Sequence, residues 1–151
     1  AEVAKITEKS MQDVLEVRRA LEGLAIQLAC GRITKEEIAE LEAKGKKFVE
    51  VVQTKDLVLM AEADEAFHAV IYNATQNDRL IYILNNLREQ MYRYRVEYLK
   101  DEKNYPVLLE EHKQIVDSIT ARKKEKVTEL MHRHVANQAV AVKAMILEQE
   151  S

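Results

Sequence analysis

Cysteine and proline each occur once in this 151-residue chain, glycine occurs three times, and tryptophan is missing. A single thiol, Cys30, rules out an internal disulfide and fits a reducing, cytoplasmic setting. Its apolar neighbourhood, Leu24 to Ala29, makes it a small buried hydrophobe rather than a reactive thiol. So few backbone breakers favour long helices joined by short connections. A positive surplus is also lacking. Lys and Arg total 23 against 26 Asp and Glu, a net charge of -3. Domains that grip nucleic acid by its phosphates usually carry a basic excess. The local run Arg122, Lys123, Lys124 and Lys126 reads as a solvated turn between helices. No apolar run reaches membrane-spanning length, and no secretory signal opens the chain. Gly-rich nucleotide loops, a Ser-His-Asp order and Cys-x-x-Cys pairs are all missing.

Hydrophobic residues make up 47% and charged residues 32%, the composition of a soluble globular domain. Residues 1–9 read as the end of a linker and 10–151 as one domain, which suggests a piece of a longer protein. The periodicity predicts an all-α fold of six or so helices and no strands. Helix one, Ser10 to Cys30, carries a stripe of Val14, Val17, Leu21, Leu24 and Leu28, with Gly31 as its stop. Thr34 and Glu37 form a capping box for helix two, whose stripe is Ile38, Leu41, Phe48, Val51 and Val52. Helix three spans Lys55 to Ala74. Helix four opens after Asn77 and Asp78 and carries Leu80, Leu84, Leu87, Met91, Tyr94 and Tyr98 inward. Pro106 suits the first turn of helix five, and helix six covers Lys124 to Glu148. Short connections make successive helices antiparallel neighbours, so the architecture is an antiparallel helical bundle.

Polar residues interrupt three of these seams. Asp64 and His68 lie four apart on helix three, on the face that carries Met60, Ala61, Phe67 and Ile71. His112 lies in the stripe Leu108, Ile115 and Ile119. His134 lies with Met131, Gln138 and Ala141. His132 sits about 200° away from His134 around the helix and faces out. A buried carboxylate without a partner costs on the order of several kcal/mol. A divalent cation between one Asp and three His offsets that cost, and imidazole suits Zn, Ni, Cu and Fe. Histidines hydrogen-bonded in a plain structural core are the other reading, and periodicity alone leaves both open.

At these residues the sequence resembles the FadR-type C-terminal ligand-binding (FCD) domain of GntR-superfamily bacterial transcription regulators. The pieces are Val-Arg-Arg-Ala-Leu-Glu-Gly-Leu-Ala at 17–25, Asp64-Glu-Ala-Phe-His68, Ala74-Thr-Gln-Asn77, Glu111-His112 through Ile119, and Met131-His-Arg-His134-Val. Their combined order, from about Asp13 to Ala144, is specific where each piece alone is not. The resemblance implies a central cavity holding a divalent metal (Zn, Ni or Mn) on Asp64, His68, His112 and His134. It also implies a small organic acid effector, a homodimer, and DNA binding through an N-terminal winged-helix domain outside this chain. One stretch departs from the family: Ala121-Arg-Lys-Lys-Glu-Lys-Val127 replaces a Gly-Asp turn before the last helix.

An effector carboxylate would take an open metal position, and a guanidinium would grip the rest with parallel bonds. Arg18 is the first candidate, with a pairing to Glu22 on its own helix as the plain alternative. Arg88, Arg95, Tyr94, Asn137 and Gln138 are further candidates. The expectation is a sensor and not an enzyme. The rival is a metalloenzyme that activates water at the Asp/His3 site. Against it, Glu65 and Glu111 adjoin the ligands in sequence but should point about 100° away from them.

Overall fold

A computed structural model describes residues 7–150. Among them the chain forms helices and no strand: α1 (Glu8–Arg32), α2 (Lys35–Val52), α3 (Leu57–Ala74), α4 (Asp78–Asn86), α5 (Arg88–Leu99), α6 (Asn104–Thr120) and α7 (Lys124–Glu150). Of the expected linker end, residues 1–6 lie outside the described residues, and Glu8 and Lys9 already belong to α1.

Side-chain caps set most helix starts. Thr7 and Ser10 form a capping box for α1, and Thr34 and Glu37 form the expected one for α2. The carboxylate of Asp56 accepts from the Leu59 N–H, and the Asn77 side chain accepts from Leu80. Each cap satisfies a backbone donor that the first turn leaves bare. The helix ends are less usual. Lys55, Gln76 and Arg122 follow α2, α3 and α6 with φ of 56°, 53° and 57°. They hold the left-handed position that glycine usually takes after a helix. Arg122 also uses its side chain there. Its guanidinium donates to the carbonyls of Cys30 and Ile33 at 3.0 and 2.7 Å and so closes the end of α1. The departure from a Gly-Asp turn therefore comes with a tie between α1 and the α6–α7 connection.

Three sequence expectations need correction. Gly31 does not stop α1, which runs on to Arg32 and is capped at Ile33. The long fourth helix is two helices that meet at Leu87, whose φ and ψ are -96° and 2°. Leu80 and Leu84 of α4 pack with Ala25 of α1, whereas α5 lies against α3 and α7. A single straight rod would not serve both surfaces. The stripe of α1 is also rotated. Val17 and Leu24 are nearly half exposed, and the buried face is Met11, Arg18, Glu22, Ala25, Ile26 and Ala29.

Chain-order neighbours pack for α2 with α3 and for α6 with α7, but α1 lies most extensively along α7. Two apolar layers result. One holds Phe48, Met60, Leu99 and Leu108, and the other holds Ile26, Phe67, Ile71, Ile115, Ile119 and Met131. Along α3, α6 and α7 the residues between those layers are polar: Asp64 and His68, Glu111 and His112, His134 and Gln138. The candidate site is thus a polar layer between two dry ones.

Candidate metal centre

Asp64 lies at the middle of this layer and is fully buried. Its Oδ1 is 2.7 Å from His112 Nε2 and 3.5 Å from His68 Nε2. Its Oδ2 accepts from Arg95 Nε at 2.5 Å. Burial works against the charged carboxylate, but His68 and the Arg95 guanidinium overcome it and hold the acid well below its usual range. On His68 burial prevails, helped by His134 and Arg95. It pushes the imidazole from 6.5 to about 4 despite the nearby Asp64, so the ring is neutral near pH 7 and keeps a lone pair for a ligand.

Packing orients the other rings. His112 stacks on Phe67 with centroids 4.1 Å apart, and the edge of Phe48 meets it at 4.9 Å. His134 stacks on His68 at 5.1 Å. Its Nδ1 lies 3.1 Å from Glu111 Oε1, and Glu111 Oε2 accepts from Asn137 Nδ2 at 2.9 Å. With Nδ1 carrying the proton toward Glu111, Nε2 of His134 is the lone-pair nitrogen.

The donor set fits a divalent cation. Both nitrogens of His68, Nδ1 of His112 and Nε2 of His134 are buried and have no hydrogen-bond partner. Bare buried donors and acceptors cost about 1–3 kcal/mol each. One ligand atom each from Asp64, His68 and His112 falls within a common span of 4.8 Å, compatible with bonds of about 2 Å to one ion. His134 stands beside this compact set, with its ring centroid 6.5 Å from that of His112.

The effector candidates separate. Arg18 is fully buried and donates from Nη1 to Gln138 Oε1 at 2.6 Å. Its Nε and Nη2, and Nε2 of Gln138, have no partner. Glu22 is turned elsewhere and accepts a short hydrogen bond from the Tyr72 hydroxyl. Arg95 belongs to Asp64. Arg88 lies at the surface and donates to Glu65 Oε1 from Nε and Nη2 at 3.0 and 2.7 Å. Tyr94 is buried among Met11, Val142 and Ile146, and Asn137 is tied to Glu111.

Sequence reasoning missed Tyr72, and it paired Glu22 with Arg18 rather than with the Tyr72 hydroxyl. Spacing could have found Tyr72, which lies four residues after His68. Glu111 is a correction. It had been turned away from the ligands, yet it contacts His134, because α6 lies close enough to α7 to bury two adjacent positions.

The same fold occurs in known proteins. The structure superposes on E. coli McbR/YncC with a TM-score of 0.80 at 17% identity, covering 97% of this chain and 72% of that one. It superposes on a Streptococcus agalactiae GntR protein with a TM-score of 0.72 at 21% identity, covering 92% of this chain and 62% of that one. These likenesses concern the fold. The family model of the FCD domain matches residues 13–137, which include Asp64, His68, His112 and His134. The chain belongs to the FCD domain family, the one its motifs resemble.

Proposed function

We propose that this chain is the effector-sensing part of a GntR-type transcription regulator, with a divalent cation held by Asp64, His68, His112 and His134. The observation that carries this reading is the set of buried imidazole nitrogens without hydrogen-bond partners around one ionised carboxylate. When bound, Zn, Ni or Mn supplies a Lewis-acidic point that a carboxylate oxygen of a small organic acid can occupy. Phe67 and Phe48 fix His112, Glu111 fixes the tautomer of His134, and Arg95 takes the outer oxygen of Asp64. Arg18 offers two free guanidinium donors to the remainder of the acid, with Gln138 holding its third nitrogen in place.

Arg18 projects from α1, and α1 lies along α7, which bears His134. An acid that bridges Arg18 and the cluster would favour one setting of α1 against α7. A DNA-binding winged helix joined ahead of α1 would respond only through such differential binding. Val17 and Leu24 on α1, with Tyr82 and Ile83 on α4, are exposed apolar residues suited to a homodimer contact. Among the described residues no helix is long and apolar enough to cross a membrane.

A water-activating enzyme would need a carboxylate free to take a proton beside the cluster. Glu111 is engaged by His134 and Asn137 through both oxygens, and Glu65 through Oε1 by Arg88. The decisive experiment is metal analysis of the purified chain, followed by thermal shift against small carboxylic acids with and without chelator. A metal-dependent rise in Tm is expected, because a ligand that binds only the folded state stabilises it. A metal-free chain indifferent to chelator sinks the reading. His134→Ala should lower metal content and the acid-induced shift together.

A further inference from the structure

A second feature lies toward the surface from the cluster, where α3 meets the break between α4 and α5. Glu65, one residue past Asp64, sits between two guanidinium groups. Its Oε1 accepts both hydrogen bonds from Arg88. Its Oε2 is buried, has no hydrogen-bond partner, and stops 4.0 Å short of Arg95 Nη1. A cavity of about 90 Å³ opens here, lined in part by Glu65, Tyr72, Asn85, Arg88, Met91 and Arg95. That is room for more than one water molecule.

Two arginines converging on a small cavity make a site for an oxyanion. A planar carboxylate is the natural occupant, since each guanidinium can offer it parallel donors. The tethered carboxylate of Glu65 satisfies this geometry only in part. It takes one donor each from Nε and Nη2 of Arg88 and stops 4.0 Å from Arg95, its backbone being fixed within α3. A free carboxylate has no such restraint. Arg88 is the first residue of α5, directly after the non-helical Leu87, and its side chain is two-thirds exposed, so it can turn with an incoming anion. Deeper passage is discouraged. Beyond Tyr72 stands Glu22, with a buried oxygen that has no partner.

We propose that Arg88 and Arg95 form a carboxylate-binding site in which Glu65 acts as a built-in competitor, and that a small carboxylate binds there by displacing it. The site lies on the other side of Arg95 from Asp64. An anion that draws on Arg95 therefore weakens its hold on Asp64 Oδ2 and is felt at the cluster. This deepens the sensor reading and rests on it for its biological meaning. The anion site itself does not require a metal.

The probe is acetate, which carries the same group as Glu65 without the tether. Acetate is titrated into the full chain as purified, into Glu65→Gln and into Glu65→Ala. The readout is the Nε–Hε resonances of Arg88 and Arg95 in nitrogen–proton correlation spectra, with Arg88→Gln identifying the first. Occupation of a site by its own side chain reduces apparent affinity by the fraction of time the site is free. Removing the Glu65 charge should therefore lower the acetate concentration for half-maximal shift by about tenfold. Both arginine signals should move together, and Arg88→Gln in the Glu65→Gln background should abolish the gain. Equal midpoints in the parent and both variants, or a response that leaves Arg95 silent, overturns the proposal. The titration is repeated after chelator treatment. An acid-induced rise in Tm that survives the chelator unchanged, with the arginine response intact, would discard the metal reading and keep this site.

Discussion

Glu111 and His134 face each other across α6 and α7, with Oε1 of the acid 3.1 Å from Nδ1 of the ring. This contact decides which nitrogen of His134 is available to the cluster. Carboxylates bonded to the outer nitrogen of a ligating histidine typically change metal affinity 10–100-fold when removed. Glu111→Ala should weaken Zn binding by about that factor, measured by chelator competition, and Glu111→Gln by less because the amide oxygen can still accept. An unchanged affinity in both would remove His134 from the ligand set.

The metal-free chain should lose stability as pH falls from about 6.5 to about 4. His68 is held neutral in the folded state down to about 4, whereas the unfolded chain takes the proton near 6.5. Between those values the unfolded state binds more protons, so stability rises with pH and falls on acidification. The displacement corresponds to an upper bound on the order of 3 kcal/mol. Asp64, held low, adds a further loss only below its ordinary range near 3.8. Urea unfolding at pH 7.5 and 5 on chelator-treated protein tests this, with His68→Gln expected to flatten the difference. Equal stability at the two pH values would contradict the burial argument.

Two left-handed residues should respond oppositely to glycine. Lys55 has φ of 56° and makes only an exposed ion pair with Glu102 at 3.3 Å. Such pairs contribute little, while the left-handed backbone disfavours any side chain by about 1 kcal/mol. Lys55→Gly should raise Tm by about 2–4 °C. Arg122→Gly relieves the same backbone but loses both carbonyl bonds at the end of α1, and should lower Tm. Thermal unfolding of the pair in parallel is sufficient, and a shared sign would refute the assignment.

Gly23 allows α1 and α7 to approach. A Cβ placed there would fall 2.6 Å from His132 Nε2. Glycine within a helix ordinarily costs about 1 kcal/mol relative to alanine. Gly23→Ala should nonetheless fail to stabilise the native chain, and should stabilise it by about that amount once His132→Ala has removed the obstacle. An identical effect in both backgrounds would show that His132 simply swings aside.

The inward face of α3 was legible from spacing. Met60, Asp64, Phe67, His68 and Ile71 all share the burial expected of them, as do Leu108, His112, Ile115 and Ile119 on α6. The period of a helix, about 3.6 residues, fixes how side chains on one rod are directed relative to each other. It does not fix how that rod is turned against its neighbours. The α1 stripe of Val17 and Leu24 shows the difference, since the face that carries Arg18 and Glu22 turns inward once Gln138 and Tyr72 are there to bond them.

The sequence by itself determined the helical class, most of the helix starts, and the presence of one acid and three imidazoles on inward faces. Local hydrogen bonds at caps and the period of the helix suffice for that. Only the tertiary structure decided that Arg95 holds Asp64, that Glu111 orients His134, that Glu65 stands between two arginines, and that the fourth rod breaks at Leu87. Those outcomes depend on pairing between groups far apart in the chain, where the cost of leaving a buried charge alone outweighs any preference of the local segment.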